Sequence, residues 1–229
     1  MTDDDRDDIS EKAEAGTVAE EACAGCGKPL DLCVCAAIDP VETRTTVLIL
    51  QHPQEQDKEL CTAGITVRQL RRGELRIGLS WPGLKRILGR EVDHKRWAVL
   101  YLGAAKSLDP AITQEIVAVD KNGVALTDQS GSLDRIEGII ALDGNWSQAK
   151  ALWWRNPWLL KLRRLVVNPR SRSRYGTLRR EPRRESLATI EAVAMTLRAL
   201  EGGPAADRLL APFDLLLQRY RTARRRPSK

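Results

Sequence analysis

The chain has 229 residues, enough to bury one substantial core beside a small accessory module but too few for two full domains. Its formal net charge of +6 conceals an asymmetry: residues 1–21 carry nine acidic and two basic side chains, so the other 208 residues carry +13. No apolar run approaches the roughly 20 residues that cross a bilayer, and the acidic start lacks the features of a secretory signal. We therefore expect a cytoplasmic protein that makes no membrane contact. Residues 1–20 have few large apolar side chains, which predicts disorder.

Four of the five cysteines fall within thirteen residues, spaced as Cys23-x2-Cys26-x6-Cys33-x-Cys35. Thiolates at such spacings converge on one tetrahedral zinc ion, and the neighbouring glycines supply the tight backbone that a zinc knuckle needs. Disulfides are the alternative interpretation, but a cytosolic chain keeps its thiols reduced. Because protein would supply all four ligands, we expect this zinc to be structural rather than catalytic.

Strand and helix signals alternate after the cysteines, a pattern typical of an α/β domain with a mostly parallel sheet. Short apolar or β-branched runs predict strands, in chain order, over 45–50, 77–79, 97–102, 115–119, 138–142 and 165–167. Apolar residues at helical spacing predict helices over 62–71, 84–88, 147–161, 187–200 and 212–224. The pair Gly202-Gly203 is a stop signal between the last two helices.

Asp143 is the most informative candidate residue, because it follows a predicted buried strand and directly precedes a predicted helix. Ligands of open α/β sheets bind beyond the carboxyl ends of the strands. Further polar motifs occupy residues 51–55, 101–104 and 186–191, again at strand ends or helix starts. If the strands are parallel, these motifs converge into a pocket suited to a small zwitterionic cofactor with an adenine ring.

Basic side chains are grouped in two parts of the chain. Residues 161–184 contain ten Lys or Arg against one Glu, and residues 219–229 add six more without an acid. Such grouping is the electrostatic footprint of a polyanion binder. The sequence therefore favours nucleic acid as the partner of the first group, while the second could equally be a solubilising tail.

Several motifs occur together in a specific order between about Cys23 and Leu200. They are CAGC, CVC, LQHPQE, CTAGITVRQL, VLYLGA, LDGNWSQAK, SRYGTLRREP and LATIEAVAMTL. In these motifs the chain resembles the DTW-domain family, the tRNA-uridine aminocarboxypropyltransferases. Asn145 stands where that family has Thr, Ala188 stands where it has Ser, and Leu102 stands where Pro is common.

The resemblance implies a SPOUT-like α/β fold with a C-terminal trefoil knot, in which S-adenosylmethionine binds in loops that leave the knotted strands. The implied reaction transfers the 3-amino-3-carboxypropyl group of that cofactor to N3 of a uridine in tRNA and releases methylthioadenosine. The expected organisation is a disordered leader over 1–20, a zinc knuckle over 21–40, the catalytic domain over 41–203, and a C-terminal helix with a basic tail over 204–229.

The resemblance also implies roles for particular residues. Asp143 is our first choice for the base that accepts the uridine proton, and Glu55 or Glu191 could do this instead or hold the cofactor's amino group. Trp146 could stack on uracil or adenine. The implied cofactor-binding residues are Leu100, Tyr101, Gly103, Ala104, Asp143, Trp146, Leu187, Thr189 and Glu191. The implied tRNA contacts are Arg170, Arg172, Arg174, Tyr175, Arg179 and Arg180.

Two other functions stay open from the residues alone. One is a zinc-knuckle RNA-binding protein without catalysis, which the basic group and the cysteines would also suit. The other keeps the fold but makes the product methylated RNA. The carboxylates weigh against the first, because an RNA-binding surface gains nothing from acids near phosphates. The sequence leaves the oligomeric state open.

Overall fold

A computed structural model describes residues 22–100, 112–178 and 187–225. Its centre is a six-stranded sheet with the order β2-β1-β5-β3-β6-β4. The strands are β1 Thr46–Gln51, β2 Gly73–Ile77, β3 Trp97–Leu100, β4 Ile116–Val119, β5 Gly138–Asp143 and β6 Arg163–Val167. All neighbouring pairs are parallel except β4 and β6. The prediction of an α/β protein with a mostly parallel sheet is confirmed.

Six α-helices accompany the sheet in the described part of the chain. They are α1 Ala63–Arg68, α2 Leu84–Leu88, α3 Gln129–Leu133, α4 Trp146–Arg155, α5 Thr189–Glu201 and α6 Gly203–Arg225. None of the described helices combines the length and the apolar character that crossing a membrane requires.

The helices cover both faces of the sheet, so its central strands are buried on both sides. Alternate residues of β1 and β5 point to opposite faces: Val47 and Ile139 join a core with α1, α5 and α6, whereas Leu48 and Ile140 join one with α2 and α4. This arrangement explains why β1, β3 and β5 are continuous apolar runs rather than alternating ones.

The helix predicted over 147–161 is interrupted. The α-helix ends at Arg155, and a 3-10 helix follows over Pro157–Lys161. Pro157 has no backbone N–H to continue the α-helical hydrogen bonds, so the chain changes geometry at Asn156. Asn156 is fully buried, and its side-chain amide donates to the carbonyl of Leu152 at 2.7 Å.

Three other predicted elements also have different bounds in the structure. The helix predicted over 62–71 ends at Arg68, and the strand predicted near 77–79 is β2, which already begins at Gly73. The helix predicted from Pro212 begins at Gly203 and contains that proline in its interior. Buried residues on both sides of the proline, Leu209 and Phe213 among them, pack into the core with α5. This packing offsets the hydrogen bond that the proline removes.

Gly138, the first residue of β5, pairs with Trp97 on β3, and the buried indole occupies the space over the glycine. A Cβ at position 138 would lie 2.5 Å from the indole ring, so it cannot fit without a shift of the core. We predict that Gly138→Ala lowers the free energy of unfolding by about 1–3 kcal/mol, measured by urea denaturation.

Gly64→Ala is the matched control for this substitution. Gly64 lies in α1, and no atom is within 4 Å of the Cβ that alanine would add. Removing glycine's extra freedom in the unfolded chain should leave stability unchanged or raise it by about 0.5–1 kcal/mol. Equal stability of Gly138→Ala and the wild-type protein would contradict the close packing of β3 on β5.

Candidate active site and metal centre

Asp143 is the last residue of β5 and is 8% exposed. It pairs in register with Gln51, the last residue of the neighbouring strand β1. The Gln51 side-chain amide donates to Asp143 Oδ2 at 2.8 Å, and the backbone N–H of His52 donates to the Asp143 carbonyl at 2.9 Å. The Asp143 carboxylate therefore lies at the end of a buried strand, as the sequence predicts, and the Gln51 side chain of β1 hydrogen-bonds to it.

The turn after Asp143 starts α4 through a capping box. Asn145 Oδ1 accepts from the backbone N–H of Gln148 at 3.0 Å, and Gln148 Oε1 accepts from the backbone N–H of Asn145 at 2.7 Å. Asn and Thr are both good N-cap residues, so a Thr at position 145 could make the same cap. Position 144 requires glycine, because the Cβ of any other residue would lie 2.8 Å from Cβ of Gln148.

The first turn of α5 meets Asp143 from the other side. The hydroxyl of Thr189, the first residue of α5, donates to Asp143 Oδ1. The next residue, Ile190, donates its backbone N–H to Thr62 Oγ1 at 3.3 Å. Both carboxylate oxygens of Asp143 thus accept a hydrogen bond from a side chain, one from β1 and one from α5. These two contacts fix the plane and direction of the carboxylate.

Glu191 is buried and accepts three hydrogen bonds. Its Oε2 accepts from the backbone N–H of Ala188 at 2.8 Å and from the Ser173 hydroxyl at 2.6 Å, while Oε1 accepts from the backbone N–H of Arg174 at 2.8 Å. Ala188, the N-cap of α5, has no side-chain acceptor, so only the Glu191 half of a capping box can form. These contacts commit the Glu191 carboxylate to holding the 173–174 turn against α5.

The predicted tRNA-contacting residues of the 170–175 segment divide into two groups. Arg170, Arg172 and Arg174 are exposed, and the Arg174 guanidinium forms an ion pair with Asp214 on α6. Tyr175 is 2% exposed, its hydroxyl donates to the Leu60 carbonyl at 2.7 Å, and its ring packs edge-to-face on Phe213 at 5.2 Å. This placement gives the Tyr175 side chain a packing position rather than a surface for RNA.

The remaining described candidates differ in how deeply they are buried. Glu55 is 4% exposed and pairs with Lys58 Nζ at 2.6 Å in the turn that follows β1. Leu100 is buried at the end of β3, and Trp146 is half-buried as the first residue of α4. Leu187 is half-buried just before α5. The predicted site residues Tyr101, Gly103, Ala104, Arg179 and Arg180 lie outside the described residues.

Two contributors to the site were not among the predicted site residues. Gln51 and Cys61 form a chain of contacts with Asp143, because the Gln51 amide also donates to Cys61 Sγ at 3.0 Å. Burial raises the pKa of the Cys61 thiol, and the Asp143 carboxylate raises it further, which keeps the sulfur protonated near neutral pH. The only sequence signal for Gln51 is its position at the end of a predicted strand.

The four clustered cysteines meet at one point. Their Sγ atoms all lie within 4.8 Å of one another, and those of Cys23 and Cys35 are 3.8 Å apart. A tetrahedral ion with metal–sulfur bonds of about 2.3 Å separates its ligands by about 3.8 Å, so the cluster fits a four-thiolate metal site. The pKa of Cys23 is lowered to about 6, mainly by a hydrogen bond from Cys33 and then by backbone N–H groups, whereas burial raises the pKa of Cys26 and of Cys35. The thiolate is the form that binds metal.

The cysteine cluster is attached to the rest of the protein by basic side chains. Arg68 on α1 donates to Cys35 Sγ at 3.1 Å, and Arg219 on α6 donates to the Cys33 carbonyl. The buried Lys28 donates to the Glu59 carbonyl at 2.6 Å. Glu59 belongs to the connection between β1 and α1. The cysteine cluster is therefore linked to the segment that follows the carboxyl end of β1.

These features define a mostly parallel α/β protein with a carboxylate at the carboxyl edge of its sheet and a separate four-cysteine metal-type cluster. The family described as the DTW domain matches residues 20–221, and the chain belongs to this family. The family predicted from the sequence motifs is thereby confirmed.

The chain is also similar to curated proteins. The chain is similar to tRNA-uridine aminocarboxypropyltransferase 2 of Drosophila melanogaster, with 29% identity over 188 residues that cover 80% of this chain and 67% of the relative. The proteins of the same name from Macaca fascicularis and Mus musculus are 26% and 27% identical, over 85% of this chain and 61% of each relative. The chain thus spans about two thirds of the length of these relatives. No solved structure matches it.

The cysteine cluster predicts one tightly bound metal ion per chain, which we expect to be zinc. Cys33→Ser should reduce the metal content of the purified protein and lower its Tm, because a bound metal stabilises only the folded form. Metal content measured by mass spectrometry, and Tm with and without chelator, test this.

Cys61→Ser is the matched control, because this cysteine is not part of the four-thiol cluster. It should keep a full complement of metal and the wild-type response to chelator. Metal loss in Cys61→Ser, or a wild-type protein whose Tm ignores chelators, would refute the assignment.

Proposed function

We propose that the protein transfers the 3-amino-3-carboxypropyl group of S-adenosylmethionine to N3 of a uridine in tRNA, giving acp3U and methylthioadenosine. The observation that carries this proposal is the Asp143 carboxylate, oriented by Gln51 and Thr189 at the carboxyl edge of the sheet. The names of the curated relatives, which are tRNA-uridine aminocarboxypropyltransferases, support the reaction and the tRNA substrate.

Asp143 is proposed as the general base. The sulfonium of S-adenosylmethionine supplies an activated carbon: the N3–carbon bond forms as the carbon–sulfur bond breaks, and the bond's electron pair goes to sulfur. The N3 proton moves to an Asp143 oxygen and then to solvent. A carboxylate can take up a proton at either of its two oxygens, and Gln51 and Thr189 hold this carboxylate in a fixed direction. Positioning supplies most of the remaining catalysis, because orientation decides which carbon meets N3.

The proposed cofactor site lies across the ends of adjacent strands. Gln51 on β1 and Leu100 on β3 belong to the strands on either side of β5, at spacings of about 4.8 Å between strands. Thr189 reaches the same edge from the first turn of α5, Leu187 precedes that turn by two residues, and Trp146 is the first residue of α4. Leu100, Leu187 and Trp146 offer apolar surface for adenine, and few polar groups accompany them, as is common in small-molecule sites.

The three acids at this edge have different proposed roles. The oxygens of Glu191 hold Ser173, Arg174 and Ala188, so we assign Glu191 to positioning rather than to direct contact with the cofactor. Glu55 has an ion-pair partner, Lys58, whose side chain is about half exposed, and it remains the alternative base or the partner of the cofactor's amino group.

The exposed arginines of the 170–174 segment are proposed to contact tRNA phosphates, together with Arg179 and Arg180. Guanidinium groups bind phosphate oxygens without reading base sequence, which places the substrate. Glu191 holds the 173–174 turn, and Thr189, two residues before Glu191 in α5, contacts Asp143. The basic segment is therefore held close to Asp143. Uridine N3 must also be unpaired to react, which a folded RNA loop allows at little cost.

The larger framework belongs to the same proposal. We assign a SPOUT-like fold with a trefoil knot to residues 41–203, a structural zinc to residues 21–40, and a cytoplasmic location to the protein. The return of α5 to the carboxyl edge of β1 and β5, where it contacts both Thr62 and Asp143, supports a fold in which a late segment closes the cofactor site.

Nucleoside mass spectrometry on unmodified tRNA, incubated with the purified protein and S-adenosylmethionine, tests the function. We expect a uridine heavier by one aminocarboxypropyl group, with release of methylthioadenosine. A gain the size of a methyl group would instead make the protein an RNA methyltransferase. Unchanged nucleosides with tight tRNA binding would make it a non-catalytic RNA-binding protein.

Asp143→Ala should lower kcat by about 10²–10⁴-fold, the usual contribution of a general base. Affinity for S-adenosylmethionine should change by less than about tenfold, or roughly 1.4 kcal/mol. Single-turnover transfer assays and calorimetric cofactor titration measure the two quantities separately.

Asp134→Ala is the control for that substitution, since Asp134 is an exposed carboxylate that precedes β5 and therefore lies at the opposite edge of the sheet. It should leave both quantities at the wild-type value. Loss of cofactor affinity together with kcat in Asp143→Ala would reassign Asp143 as a cofactor ligand.

A further inference from the structure

Beyond Trp146, the solvent side of α4 carries aromatic and basic side chains that the proposed chemistry does not use. Trp154 is 77% exposed, in contrast to the buried Trp97 and Trp158. Lys150 and Arg155 are exposed on the same helix, while Gln148 and Leu152 face the core. An indole is costly to leave in water, so this exposure points to a partner that covers it.

The row begins at the active site. Trp146, Lys150 and Trp154 are spaced four residues apart, so they lie one helical turn after another along one side of α4. Trp146 is separated from Asp143 by only two residues. Trp154 is eight residues further on, at about 12 Å along the helix axis. A substrate with one group at Asp143 can therefore reach Trp154 with a second group that lies about 12 Å or more from the first.

The charge of this part of the chain identifies the partner's chemistry. No Asp or Glu occurs from Gly144 to Arg180, whereas ten Lys or Arg and four of the six tryptophans do. Single-stranded nucleic acid combines phosphates, which bind cations, with bases, which stack on exposed aromatic rings. A purely apolar partner would gain nothing from Lys150, and an acidic protein would need no flat aromatic surface.

We propose that the Trp146–Lys150–Trp154 row of α4 is a second tRNA-binding surface, on which an unpaired nucleotide flanking the target uridine stacks against Trp154 while Lys150 contacts its phosphate. This inference rests on the proposed function for the identity of the RNA. It adds a surface distinct from the arginines of the 170–174 segment, and it makes a single-stranded region around the target uridine a requirement of the substrate.

Three substitutions of Trp154 separate stacking from other roles. Trp154→Ala should raise the Kd and the KM for unmodified tRNA about tenfold, as the loss of one stacked base does, with the effect in KM rather than in kcat. Trp154→Phe should retain most of the affinity, because a phenyl ring still stacks. Trp154→Leu, which is apolar but not aromatic, should behave like Trp154→Ala. The exposed position makes all three compatible with folding.

The charge contribution is measured by the salt dependence of binding. Lys150→Ala should reduce the slope of log K against log salt by about one, as expected for one lost phosphate contact. Arg198→Ala and Leu30→Ala are matched controls: both residues are exposed, and the elements that carry them pack on the opposite face of the sheet from α4. Neither should change the affinity or the slope.

Fluorescence anisotropy with labelled tRNA, steady-state transfer kinetics and sedimentation equilibrium decide the outcome. Wild-type affinity in Trp154→Ala, or in Trp154→Leu, would overturn the stacking role. A wild-type dimer that becomes a monomer in Trp154→Ala would instead make this face a contact between two copies of the chain. Failure of the proposed function is distinguishable, because it would appear as the absence of transfer by the wild-type protein whatever the binding series shows.

Discussion

The hydrogen bonds made by the first turn of α5 are the constraint on which the site depends. Thr189 contacts Asp143, Ile190 contacts Thr62, and Glu191 holds the 173–174 turn, so three consecutive residues join the end of β5, the start of α1 and the arginine segment. The carboxylate and the basic segment are distant in sequence, and this turn brings them together. The burial of Ile190, Val193 and Leu197 in the core keeps the turn in place.

The metal-type cluster contributes to the same framework from outside the sheet. Its contacts run to α1 through Arg68 and to α6 through Arg219, and α6 in turn packs on α5. A metal held by the four thiolates would therefore stabilise the helices that cover one face of the sheet, including the one that carries Thr189. A structural centre can in this way support a carboxylate that it does not touch.

Local sequence signals predicted much of this arrangement, and long-range pairing accounts for the rest. The buried run ending at Asp143, the helix after it and the converging cysteines each depend on a few neighbouring residues. The hydrogen bond from Gln51 depends on β1 lying next to β5, some 90 residues later in the chain, with Gln51 opposite Asp143 in the register. The apolar residues of β4 predict a strand but do not show that it runs antiparallel to β6. The burial of Tyr175 likewise could not be predicted, because it depends on the packing of the 173–175 segment against α6.

A double-mutant cycle between Asp143 and Thr189, read as the rate of transfer to tRNA, tests most directly whether α5 acts through the carboxylate. Residues that act as a unit are non-additive. Thr189→Val should lower kcat in the wild-type background by about tenfold, the effect of one lost orienting hydrogen bond, and should have no further effect on the residual rate of Asp143→Ala. An equal loss in both backgrounds would contradict the account, because Thr189 would then act independently of Asp143.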